Sequence, residues 1–212
     1  SLGATSRRNE DPTGACRPFD RTRDGTVMGE GAAFVVLEER TRALRREGSV
    51  YAELVGYAAA CDAFDVIKPH PTGRGLVAAL TSALADAGLQ PQDVDYVSAH
   101  GSGTVLGDKT ETAAIKSVWG KQAYRVPVSS IKAMIGDLGA AAGATGFATA
   151  VLALRDGLVP PTINYRYPDP NCDLDYVPNQ ARKAPLAVVL AIGRGQAGQN
   201  AVLVARRPGA GS

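Results

Sequence analysis

Four short segments of this sequence place chemically capable side chains at turns or beside helix starts. The first is Ser98-Ala99-His100-Gly101-Ser102-Gly103-Thr104, an apolar run ending in a histidine and followed by small residues. At the C-terminal edge of a strand, this is where α/β proteins build sites. Glycines there let backbone and ligand approach closely, and the hydroxyls of Ser102 and Thr104 can bond a linear amide ligand. The same residues also spell a tight turn around a buried, hydrogen-bonded His100, and spacing alone leaves both readings open. The second segment, Gly107-Asp108-Lys109-Thr110-Glu111, reads as a capping box, with Asp108 as N-cap and Glu111 three residues on. The third runs from Ser129-Ser130-Ile131-Lys132 to Gly136-Asp137 and enters an Ala/Gly-rich stretch. It is a strand-to-helix junction, and Asp137 there is favourable through the helix dipole alone. The fourth, Gly193 to Asn200, lies between two apolar runs and reads as a hairpin turn. It does not follow a strand and open a helix, so a dinucleotide site fails its context test.

The surrounding pattern supplies the elements that must carry these segments. Residues 1–25 are polar and turn-rich and must lie against something else. Thr26–Met28 and Ala32–Glu38 are β-like runs around Gly29-Glu30-Gly31, which predicts a hairpin. A short charged helix is expected over Glu39–Glu47, stopped by Gly48. Strands are expected over Val50–Ala60, Val94–Ala99, Val126–Ser129, Leu186–Ile192 and Ala201–Ala205. Helices are expected over Gly73–Ala87 with Thr72 as N-cap, over Asp108–Trp119, and over Gly139–Asp156. Strands alternating with helices across Val50–Ser129 predict a layered α/β sheet. The last helix carries few polar side chains, the pattern of a core helix between two sheets. A chain of 212 residues supplies about one sheet, so the far side of that helix needs a partner.

Composition narrows the function. A net charge of +2 gives no footing for nucleic acid or an acidic membrane face, and no apolar run approaches the ~20 residues of a membrane span. Cys16, Cys61 and Cys172 are scattered without CxxC spacing, so free thiols in a cytoplasmic protein are expected. Two histidines without clustered ligands argue against a metal site.

Taken together and in order, these segments resemble the β-ketoacyl synthases of fatty-acid and polyketide biosynthesis, from about Arg17 to Arg206. Arg17-Pro18-Phe19-Asp20, Arg23-Asp24-Gly25 and Gly29-Glu30-Gly31-Ala32 are similar to the family's stretch after its nucleophile region. His100-Gly101-Ser102-Gly103-Thr104 resembles the first catalytic-His motif, and Gly107-Asp108 with Glu111 the motif that follows it. Ser129-Ser130-x-Lys132 resembles the lysine motif, and Pro160–Asn164 and Cys172–Asp175 also fit. The resemblance implies an α/β, thiolase-like fold layered α-β-α-β-α, of which this chain supplies the C-terminal half. Residues 1–48 would close the N-terminal half, 49–206 form the C-terminal half, and 207–212 a tail. It also implies a decarboxylative Claisen condensation on acyl carrier protein substrates. His100 would donate to the thioester oxygen as it becomes an enolate. Lys132 and Glu111 would organise the position of a second His, and Ser102 and Thr104 would hold the phosphopantetheine arm. No further cofactor is implied.

Three departures from the family pattern shape the expectation. None of the three cysteines matches the nucleophile, which lies upstream of everything present. Asp137 stands where the second His is expected, and an ionised Asp only accepts hydrogen bonds. A negative charge about 4 Å from a developing enolate, at an effective dielectric of ~20, costs roughly 4 kcal/mol, on the order of a thousandfold in rate. The closing loop, Gly195-Gln196-Ala197-Gly198-Gln199-Asn200, lacks the family's Phe and Thr. This end resembles a chain length factor, the non-condensing partner in type II polyketide synthases. The expected partners are therefore an N-terminal half (covalent or separate), a ketosynthase subunit in a heterodimer, and acyl carrier protein. Phe64, Val66 and Ile67, within Cys61–Pro71, are candidate acyl-pocket residues. Two alternatives remain: the C-terminal half of an active synthase whose Cys lies in the missing portion, and a purely structural scaffold half.

Overall fold

The computed structural model describes residues 4–209. Its ordered elements are α1 (Arg40–Arg45), β1 (Glu53–Cys61), α2 (Arg74–Asp86), β2 (Tyr96–Ser98), α3 (Val105–Trp119), β3 (Val128–Ser129), α4 (Lys132–Ile135), α5 (Ala142–Asp156), β4 (Leu158–Val159), β5 (Arg182–Lys183), β6 (Val188–Arg194) and β7 (Gln199–Arg206). Five strands form one mixed sheet in the order β1-β7-β6-β2-β3. The pairs β1/β7 and β7/β6 are antiparallel, whereas β6/β2 and β2/β3 are parallel.

Period-two alternation in the central strands assigns their two faces. Val188, Leu190 and Ile192 of β6 point to one side, where Leu76, Leu80 and Leu84 of α2 and Ile115 of α3 meet them. Val189 and Ala191 point to the other, against Phe147, Ala150 and Leu154 of α5. β6 is buried on both faces, which is why it reads as an unbroken apolar run. The result is three layers, helix–sheet–helix. The outer side of α5 is only partly covered, and Leu152 is exposed. β4 and β5 pair separately as a small antiparallel sheet at the end of α5, so among the described residues the helix expected to sit between two sheets packs its face on the five-stranded sheet alone.

Segment 11–26 lies against α3 and the 164–176 loop, as its polarity required. Phe19 is fully buried and stacks on Tyr176 with centroids 4.0 Å apart. Asp20 accepts from the backbone N–H of Arg166 and Tyr167.

Local expectations failed at three places. The hairpin over 26–38 does not form. Thr26 bridges Thr5 and Met28 bridges Asp137, both in parallel, so the first run is already paired elsewhere. The second run has no strand partner among the described residues, and Phe34 and Val36 stand more than nine-tenths exposed, at 94% and 93%. Thr72 does not cap α2: its hydroxyl meets His70 Nδ1, and Gly73, at φ +64°, is the cap. The capping box at Asp108 is replaced by Thr104, whose Oγ1 accepts from Gly107 N–H and starts α3 one turn earlier.

Candidate functional site

Strands β2, β3 and β6 run parallel, so their C-terminal ends reach the same sheet edge. Each delivers one part of a site. β2 ends just before His100, β3 leads through Ser129-Ser130 into α4 and Lys132, and β6 ends at Arg194. Lys132 Nζ donates to His100 O at 2.7 Å and lies 3.3 Å from His100 Nδ1. The backbone N–H of Arg194 also points at Nδ1, at 3.3 Å. With donors on that side, Nδ1 is the acceptor of a neutral imidazole, and the ring proton sits on Nε2. Burial, with the Lys132 and Arg194 charges, holds this histidine well below its ordinary range. Burial also lowers Lys132, against the pull of Asp137, Glu111 and Asp108.

Two buried carboxylates one helical turn apart on α3 pin the backbone of the histidine loop. Glu111 accepts from His100 N–H and Gly101 N–H, both at 2.8 Å. Asp108 accepts from Gly103 N–H at 3.1 Å and from the distant Phe19 N–H at 2.7 Å. Burial pushes Asp108 up to about 6, against the Phe19 N–H and the Arg23 guanidinium. Glu111 therefore serves His100, rather than the residue at 137. Gly101 closes the turn at φ +39°, and a Cβ there would sit 2.4 Å from Ser130 Cβ. Ser130 Oγ in turn donates to Gly101 O at 2.8 Å.

This arrangement predicts the cost of a near-isosteric change. Glu111→Gln replaces one acceptor oxygen by a donor facing a backbone N–H. We expect a loss of about 1–3 kcal/mol. It should read as a lowered urea midpoint at unchanged slope.

The remaining candidates fall in different surroundings. Asp137 is fixed by its backbone pairing with Met28, and its Oδ1 accepts from Gly139 N–H at 3.1 Å, ahead of α5. Its charge pulls Lys132 upward, against burial. The Ser102 and Thr104 hydroxyls lie 2.8 Å apart and build the turn into α3. Phe64, Val66 and Ile67 are exposed, on a loop stitched to the β6–β7 turn through Ala197 N–H to Val66 O and Asp62 N–H to Gly198 O. An open hollow of about 580 Å³ lies on the α5 side of the sheet, lined by Ala59, Cys61, Gly143, Gly193, Arg194 and Gln199. Phe64, Val66 and Ile67 are not among the residues lining it.

Sequence reasoning left Arg194 without a role. Its signal was a lone arginine between two glycines directly after an apolar strand.

The three-layer sheet and its strand-edge site define a thiolase-like half. The match to solved structures bears this out. The chain superposes with TM-score 0.94 and 40% identity on a type II polyketide synthase acyl-carrier protein in complex with its ketosynthase bound to the hexaketide, over 97% of this chain and 51% of that one. It superposes with TM-score 0.91 and 39% identity on the ishigamide ketosynthase/chain length factor, over 98% of this chain and 49% of that one. The family profile "Beta-ketoacyl synthase, C-terminal domain" matches residues 51–166, and "Beta-ketoacyl synthase, N-terminal domain" matches residues 2–43. The chain belongs to the β-ketoacyl synthase family. Among relatives, it is 49% identical over 208 residues to the tetracenomycin polyketide synthase ketoacyl synthase alpha subunit of Streptomyces glaucescens, covering 98% of this chain and 49% of that protein. It is 47% identical over 207 residues to 3-oxoacyl-[acyl-carrier-protein] synthase 2 of Synechocystis sp., covering 98% of this chain and 50% of that one. The chain thus spans about half the length of the relatives it matches.

Proposed function

We propose that this chain is the C-terminal portion of a chain length factor in a type II polyketide synthase. It would pair with a ketosynthase subunit that condenses acyl carrier protein substrates, and shape the cavity for the growing chain. The observation that carries this reading is Asp137, a carboxylate side chain tied to Gly139 N–H and, through its backbone, to Met28, where the family expects a donating histidine. An N-terminal half, covalent or separate, would cover the open side of α5 and close the hollow. The phosphopantetheine arm would reach the site past Ser102 and Thr104, whose hydroxyls would exchange their mutual bond for the arm's amides. No other cofactor enters.

One observation favours a second reading, an active synthase half whose nucleophile lies in the remaining portion. His100 is hydrogen-bonded to both Lys132 and Glu111, an arrangement that would leave its Nε2–H for a substrate oxygen. The residue at the upstream nucleophile position separates the two, a cysteine favouring the synthase. The chain-length reading has its own test. Ala59→Leu and Ala59→Trp, which fill the open hollow in two steps, should shorten the product progressively in the assembled synthase while turnover by the partner persists. An unchanged product distribution removes the chain-length role.

A further inference from the structure

We infer that Arg194 is a positioning residue for His100, a clamp that fixes which ring nitrogen of the imidazole carries the proton. The inference rests on reading His100 as the group that donates to the substrate oxygen.

Arg194 ends β6, and its side chain reaches across to the first turn of α3. Its Nη1 donates to Gly107 O at 3.0 Å and to Thr110 Oγ1 at 3.2 Å, while its Nε donates to Asn200 Oδ1 at 3.1 Å. Gly107 and Thr110 belong to the helix whose Glu111 holds His100 N–H. The same residue's backbone N–H points at His100 Nδ1, at 3.3 Å. One residue therefore ties the end of β6 to the helix that fixes the histidine's backbone, and presents the donor that fixes its ring.

The side-chain fork sets a distance that the backbone N–H then uses. Arginine fits this task because its planar guanidinium serves several acceptors in one rigid geometry, which lysine cannot. The charged groups facing His100 are Lys132 from α4, Arg194 from β6 and, through the backbone, Glu111 from α3. Lys132 alone offers a flexible donor to Nδ1. Arg194 adds one that cannot rotate away while the clamp holds. The consequence is an Nε2–H that is present in every molecule, with no share lost to the wrong tautomer.

The test reads tautomers, so it is independent of turnover. The full-length protein is labelled with ¹⁵N-histidine, and His100 is assigned by the loss of its signals in His100→Gln. Long-range ¹H–¹⁵N spectra of the unmodified protein should show an unprotonated Nδ1 and a protonated Nε2. In Arg194→Gln we expect loss of that single pattern in favour of a tautomer mixture. Arg194→Lys keeps the charge without the fork and should show the same loss. Thr110→Val keeps Arg194 but removes one acceptor of the clamp, and should shift the pattern in the same direction by less. The single Nε2–H pattern persisting in Arg194→Gln would overturn the inference. Native behaviour in Arg194→Lys with loss in Arg194→Gln would also overturn it, by assigning the effect to charge. If decarboxylation assays fail while the tautomer responds as expected, the functional reading falls and the clamp stands.

Discussion

Asp137→His should raise malonyl decarboxylation by the assembled protein by at least on the order of a thousandfold. Decarboxylation breaks the bond between the malonyl carboxyl carbon and the α-carbon. The electron pair moves into the thioester carbonyl as an enolate, and CO₂ leaves. The oxygen gathers negative charge, so a donor aimed at it is worth about 3–4 kcal/mol and a fixed carboxylate nearby works against it by a similar amount. The substitution changes both at once. His100 must supply the other donor, so the gain should vanish in Asp137→His combined with His100→Ala. Condensation needs an acyl-accepting nucleophile as well, and Cys16, Cys61 and Cys172 match no such position, so condensation would draw on a cysteine outside this chain. Cys16 and Cys172 are also buried, and burial raises both thiols above their ordinary range. The check is CO₂ release from malonyl carrier protein. No rise in Asp137→His would show that position 137 does not face the reacting oxygen.

Arg23→Met should destabilise the protein by about 3–5 kcal/mol, the usual cost of breaking a buried pair from one side. Arg23 is almost wholly enclosed. It donates to Asp169 Oδ2 at 2.6 Å, lies 3.5 Å from Asp108 Oδ2, and donates to the carbonyls of Asp20, Thr104 and Val105. Removing it strands two carboxylates and three acceptors. Asp108→Asn in the same background should recover part of the loss, because the partners are in contact and their effects are coupled. The pH dependence has a definite sign. Asp108 in the fold titrates at about 6, above its ordinary value, so between those limits the native state binds the extra proton. Without Arg23 that window widens upward. The deficit of Arg23→Met relative to the unmodified protein should therefore shrink as pH falls towards about 6 and level off below it. A deficit that grows with acid in denaturant titrations would contradict an ionic role for Arg23.

The sequence made the sheet legible where burial left a period. β6 and β7 showed as apolar runs about a glycine turn, and α5 ended at Gly157 in the left-handed conformation expected of a helix stop. The family likeness put His100 and Lys132 in one site but assigned Lys132 to the second His position, whereas the structure sets Lys132 Nζ 3.3 Å from His100 Nδ1. The start of α3 was misread because Thr104 and Asp108 are both good caps, one helical turn apart. What decides between them is a contact 89 residues away, Phe19 N–H on the Asp108 carboxylate, which no local pattern records. The 26–38 hairpin failed for a similar reason: Met28 pairs with Asp137, far along the chain. Arg194 was illegible because its work is done across two elements, with its side chain on α3 and its backbone on the histidine.

The uncovered Ala32–Leu37 stretch has a consequence for handling the protein. Phe34-Val35-Val36-Leu37 is uncharged, free of proline and rich in β-formers, and it has no ladder partner among the described residues. Such a stretch is a template for identical copies to stack upon one another. Glu38 and Glu39 follow it directly and act as a charged stop on one side only. Whenever the stretch is left bare, during synthesis or after cleavage, self-association will compete with folding. Recovery of soluble material will then be lost well before any catalytic property is.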